Sequence, residues 1–180
     1  MNIYDIDIFA PLESDLESYK NDYIMVPELW SKFKIDDLPM VDFSKWKSVK
    51  LIDNGKFSRD LSKISTKYGG IYVYCIEPNV IPNCGCYVMY IGKATKTPGE
   101  NLRHRVQSYD RFLTDSTSRP RLHRLFSKWG NYVYVHFLSV DASEDIITAL
   151  EDRLIGAFAK PPCNAEVRVK SIKYAVRAFN

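Results

Sequence analysis

Apolar positions follow a helical period near the start of the chain and group into strand-like runs further on. Leu12, Leu16, Tyr19 and Tyr23 recur at helical spacing, and Pro27 suits the first turn of a second helix carrying Leu29, Trp30 and Phe33. Their expected role is packing against the main domain. Residues 41–66 show no sustained period, although Asp53-Asn54-Gly55 reads as a turn. From residue 69 the pattern sharpens. Ile71–Ile76 and Tyr87–Ile91 predict two strands, joined as a hairpin by a long connection, Glu77 to Gly85, that holds Pro78, Pro82 and Asn83. A helix with Leu102, Val106 and Tyr109 on one face follows. A second spans 119–129, carries Leu122, Leu125, Phe126 and Trp129, and stops at Gly130-Asn131. Tyr132–Val140 is apolar on both alternating faces, as expected of a strand covered on both sides. The last helix is predicted from about Ala142 to Ala159, with Asp141 and Glu144 as a capping-box-like start and Pro161-Pro162 as its end.

The order strand–strand–helix–helix–strand–helix predicts an α/β (α+β type) fold. It consists of a small mixed, mainly antiparallel three-stranded sheet flanked by helices over residues 67–180, after an acidic helical extension, residues 1–66. With 180 residues, 46% of them apolar and 26% charged, the chain fits one globular domain with an extension. Disordered, collagen-like and coiled-coil accounts are excluded. No apolar run approaches the ~18 residues of a membrane span, so no membrane partner is expected. The acidic start, Met-Asn-Ile-Tyr-Asp-Ile-Asp-Ile, lacks the basic opening and apolar centre of a signal peptide. Four cysteines in that setting predict free thiols and a cytoplasmic address.

Net charge is only +3, but it is unevenly placed. Residues 1–40 hold three Lys against nine acids, whereas Lys93 to Lys128 hold nine Lys or Arg against three acids. The nine are Lys93, Lys96, Arg103, Arg105, Arg111, Arg119, Arg121, Arg124 and Lys128. Such a segment suits a phosphate backbone; a solvated helical face is the plainer alternative.

The last helix carries the sharpest chemical clue. Glu151 lies four residues after Ile147 and three before Leu154, which puts its carboxylate inside the apolar stripe that also includes Ile146, Leu150, Ile155 and Phe158. A buried carboxylate is costly unless paired, protonated or bound to a cation. Either a salt bridge to a nearby Arg or a metal or catalytic role accounts for it. Arg105, with Tyr109 four residues later on the preceding helical pattern, is a natural companion. Cys75, Cys84, Cys86 and Cys163 raise the question of zinc, but Cys84-Gly85-Cys86 has a spacing of one where zinc pairs use two to four. His123 and His136 read as structural.

Two triplets now become informative together: Gly70-Ile71-Tyr72 and Tyr90-Ile91-Gly92, each at a predicted strand. In this order they resemble the GIY-YIG nuclease family. Lys93-Ala94 follows the second triplet directly. Leu102 to Tyr109 resembles the family's arginine helix, Leu150 to Ile155 its glutamate helix, and Pro162-Cys163-Asn164 its closing Pro-x-Asn element. The match covers about residues 69–166. Tyr72 and Tyr90 stand eighteen apart, more than is usual, and Thr97-Pro98-Gly99-Glu100 reads as a small insertion before the arginine helix. Both Arg103 and Arg105 are therefore candidates for the family arginine, and Arg105 is preferred because Tyr109 completes the helix pattern.

The resemblance implies a metal-dependent DNA endonuclease that hydrolyses phosphodiester bonds with one Mg²⁺ or Mn²⁺ per active site. It places Glu151 on the metal, Arg105 on the scissile phosphate, Tyr72 as general base and Tyr90 as a second hydroxyl. Lys93 would lower the pKa of Tyr72 or orient the water, because a free Tyr has a pKa of about 10 and is phenolate only about once in a thousand at neutral pH. Gly92, Tyr109 and Asn164 are supporting residues. Lys96, Arg103, His104, Arg111, Arg119, Arg121, Arg124 and Lys128 are the candidate DNA contacts, although His104 points about a hundred degrees away from Arg105 along the helix. The expected partner is double-stranded DNA, and a cut through both strands calls for either a homodimer or two successive events. A restriction-like enzyme, a phage, mobile-element or repair nicking nuclease, and a catalytically inactive DNA-binding module remain the alternatives.

Overall fold

The computed structural model describes residues 21–35, 42–81 and 84–165, so that Leu12, Leu16 and Tyr19 of the first expected helix lie outside the described residues. Helix α1 (Pro27–Lys32) opens on Pro27, whose missing amide hydrogen costs nothing in a first turn, and buries Leu29. Part of the stretch grouped above with the helical extension forms strands: β1 (Lys47–Lys50), β2 (Ile52–Asp53) and β3 (Lys56–Phe57). Asn54 and Gly55 turn the β2–β3 hairpin with φ of 49° and 74°, the paired positive values of a type I′ turn. Leu51, Ile52, Leu61 and Ile64 are buried in the same core cluster as the main sheet.

That sheet is built around β4 (Gly69–Ile76), which is buried along its whole length. It pairs antiparallel with β5 (Tyr87–Ala94) on one side and with β6 (Val133–Val140) on the other. The strand order is β1-β6-β4-β5. The three-stranded expectation is thus corrected to four strands, because β1 adds antiparallel to β6. Of its four residues only Val49 is buried, so β1 shows no alternation by which the sequence could announce it.

Helices cover both faces. Tyr72 and Tyr74 of β4 pack with Leu102 and Val106 of α2 (Leu102–Gln107) and with Leu122, Leu125 and Phe126 of α3 (Pro120–Trp129). Ile71, Val73 and Cys75 pack on the opposite face with Ile147, Leu150 and Ile155 of α4 (Glu144–Ala157). The expected capping box at α4 does not form. Ser143 is the N-cap without a side-chain bond, and the Glu144 carboxylate reaches Lys93 instead of turning back. Ile146 and Phe158, which the period placed with the apolar stripe, are exposed. Among the described residues, no helix is long and apolar enough to cross a membrane.

Gly70 holds the centre of this sheet in a conformation closed to other residues. Its φ is +144°, and a Cβ there would lie 2.0 Å from the Leu138 carbonyl oxygen on β6. Gly70→Ala is expected to destabilise the fold by more than about 1 kcal/mol in urea unfolding. An unchanged midpoint would contradict this account of the strand.

Candidate active site

Strand pairing decides where the tyrosines meet. Tyr74 stands opposite Tyr90, and Tyr72 opposite Gly92. The Tyr72 ring lies directly over Gly92: a Cβ on Gly92 would come within 2.5 Å of both Cζ and the hydroxyl oxygen. Glycine is therefore required here for close approach rather than for backbone freedom. So placed, the Tyr72 hydroxyl donates to the Tyr109 hydroxyl at 2.9 Å, and the Tyr90 hydroxyl lies 2.9 Å from the same oxygen. Tyr109 sits just past the end of α2, where a 3₁₀ turn over Asp110–Leu113 begins. A fourth ring, Tyr74, stacks on Tyr90 at 5.6 Å, and its buried hydroxyl has no hydrogen-bond partner among the described residues.

Burial holds Tyr72 well above the ordinary phenol range, with Tyr90 and Tyr109 adding to the rise. Tyr90 is raised too, first by burial and then by Tyr109. Both hydroxyls are therefore uncharged at neutral pH. Lys93 does not offset this. It alternates with Gly92 on β5 and so projects from the opposite face, where its ammonium meets Glu144 at 3.3 Å and the Thr148 hydroxyl.

Arg103 and Arg105 separate cleanly. Arg103 turns away and donates to the carbonyl oxygens of Ile64 (2.6 Å) and Ser62. The Arg105 guanidinium stands 5.7 Å from the Tyr109 ring centre and 3.6 Å from the Glu100 carboxylate. Glu151 is on the buried face of α4, as its place in the apolar stripe implies, and is 8% exposed. Asn164 closes the outer edge of β5. Its side-chain oxygen accepts from the Ile91 amide at 2.9 Å and its amide nitrogen donates to the Ile91 carbonyl at 2.8 Å. The neighbouring Cys163 amide donates to the Met89 carbonyl at 2.8 Å.

These placements create one cleft of about 390 Å³ around that edge. Tyr72, Tyr90, Lys93, Arg105, Glu151 and Asn164 all line it, while Gly92 and Tyr109 support it from below. Arg119, at the N-cap of α3, lines it as well. Glu100, Glu144 and Thr95 also line it, although none of them is a site candidate from the sequence, where Glu144 reads as a cap and Glu100 as part of an insertion. Glu144 was the legible one of the three, since it lies seven residues before Glu151 on the same helix face. The cleft thus sets three cations, Lys93, Arg105 and Arg119, against three carboxylates, Glu100, Glu144 and Glu151.

The remaining basic residues do other things. Lys96 donates to the Thr66 carbonyl, and Arg121 to those of Pro162 and Asn164. His104 is exposed with Nδ1 on the Gly99 carbonyl, and Arg111 stacks over Phe112 at 4.7 Å. Arg124 and Lys128 are exposed on α3. No family model, curated protein or solved structure matches the chain.

The hydroxyl cluster makes a paired prediction. Tyr109→Phe leaves two buried hydroxyls without their shared partner and is expected to cost about 1–3 kcal/mol. Tyr74→Phe deletes a hydroxyl that has no hydrogen-bond partner among the described residues and is expected to be neutral or stabilising. Urea unfolding of both variants checks the contrast, and equal losses would break it.

Proposed function

We propose that the chain is a divalent-metal-dependent DNA endonuclease of the GIY-YIG kind, acting at the β5 cleft. The observation that carries this reading is the convergence of Tyr72, Tyr90, Arg105 and Glu151, from four separate elements, on one cleft. Phosphodiester hydrolysis needs a site that accepts both a cation and a phosphate, and a lining of mixed sign supplies both.

The donor set suits a hard ion. Mg²⁺ and Mn²⁺ prefer oxygen, and Mg²⁺ keeps several of its waters, so the buried Glu151 carboxylate at the cleft wall is a sufficient protein anchor. When bound, such an ion neutralises phosphate charge and eases loss of a proton from water. Arg105 presents a planar fork that grips the scissile phosphate with two donors, and Arg119 adds a second positive charge from α3. Tyr72 takes part as a neutral hydroxyl that orients the attacking water, because its burial opposes the phenolate form. Lys93 has a positioning role: by bridging β5 to Glu144 and Thr148 it sets the face of α4 that bears Glu151. Asn164 fixes the strand edge and, with both ends of its amide on Ile91, is a support rather than a ligand.

The decisive assay incubates supercoiled plasmid with Mg²⁺ or with chelator. Nicked or linear product is expected only with metal. Glu151→Gln and Arg105→Lys should each slow cleavage by about 10²-fold or more. Cleavage that survives both chelator and Glu151→Gln would refute the assignment. DNA binding without any cleavage would instead mark a module that grips DNA and leaves it intact.

A further inference from the structure

On the other face of β4 from the tyrosine hydroxyls lies a second chemical cluster. Cys75, Cys86 and His136 bring two thiol sulfurs and one imidazole nitrogen within 4.8 Å of one another. They come from β4, from the residue before β5, and from β6. The Glu77 carboxylate contacts His136 Nε2 and neighbours both thiols. We propose that Cys75, Cys86 and His136 are the protein ligands of a structural zinc site, with the Glu77 carboxylate orienting the His136 imidazole.

The donor set selects the ion. Two thiolates and an imidazole favour zinc over Mg²⁺ or Ca²⁺, which take oxygen. The geometry is nearly in place. For zinc bonds of about 2.0–2.3 Å, ligand atoms on a tetrahedron lie roughly 3.3–3.8 Å apart, so the Cys75, Cys86 and His136 atoms need close by no more than about 1–1.5 Å. Cys86 is exposed and can move; Cys75 is buried and His136 half-buried, so the fixed part of the site is the sheet. Ligation would release protons from the thiols.

The site has a clear structural task. In the connection between β4 and β5, Val80 and Ile81 are exposed and so contribute little apolar burial to hold it. A metal joining Cys75 to Cys86 would cross-link that connection at its base, and His136 would tie the cross-link to β6. This site is separate from the proposed hydrolytic one, and either can stand without the other.

The test uses the full chain, reduced with a non-thiol reductant, stripped by chelator and titrated with Co²⁺. Wild type should develop thiolate-to-cobalt charge-transfer absorption that saturates at one equivalent and bleaches when Zn²⁺ is added. Cys86→Ser, at an exposed position that should not disturb folding, should lose most of that absorption and bind zinc at least about tenfold more weakly. His136→Gln should weaken zinc binding in the same direction while circular dichroism confirms the fold. Glu151→Gln should leave the absorption intact, because its carboxylate contributes no sulfur. Reduced wild-type protein without thiolate–cobalt absorption, or an absorption that persists in Cys86→Ser, would overturn the proposal.

Discussion

The Tyr72 ring can cross its neighbouring strand only because Gly92 has no Cβ. That missing carbon sets the position of the Tyr72 hydroxyl and, through Tyr109, the positions of both other hydroxyls in the chain of bonds. Two rigid strands hold two of the rings, and a turn anchored by α2 holds the third. The result is a hydrogen-bonding surface at the base of the cleft on which Tyr72 and Tyr90 are uncharged, with the ionic groups arranged around it. Low-dielectric surroundings strengthen bonds within such a network and suppress charge on its members.

The ionic groups depend on a second constraint, the position of β5 at the border of the sheet. A border strand can present both of its faces to one cleft. Tyr90 contributes from the side of α2 and α3, and Lys93 from the side of α4. The proposed division of labour follows that geometry. In it, neutral hydroxyls would orient, the guanidinium of Arg105 would hold phosphate, and the Glu151 carboxylate would hold the cation.

Much of this was legible in the sequence wherever burial leaves a period. β4, β5 and β6 are apolar runs, and Glu151 shows itself by interrupting a stripe of Ile and Leu. Strand period also held information about Lys93: three residues after Tyr90 and one after Gly92, it belongs on the other face, which already argued against a direct influence on Tyr72. Arg103 and Arg105 are two apart on a helix, so opposite directions were legible, but which one meets the cleft depends on how α2 docks. β1 was invisible because its register with β6 exists only in three dimensions. The same limit applies to the thiols. Counting along the chain pairs Cys84 with Cys86, whereas strand pairing brings Cys75 and His136 to Cys86.

The bonds from Asn164 and Cys163 to Ile91 and Met89 have a further effect. They occupy the outward-facing polar backbone that a second chain would need in order to extend the sheet past β5. The opposite border, β1, carries Lys47 and Lys50, whose charges disfavour extension there as well. Pairing between copies of the chain through either described sheet border is therefore disfavoured, and helices and loops are the surfaces left for any such contact.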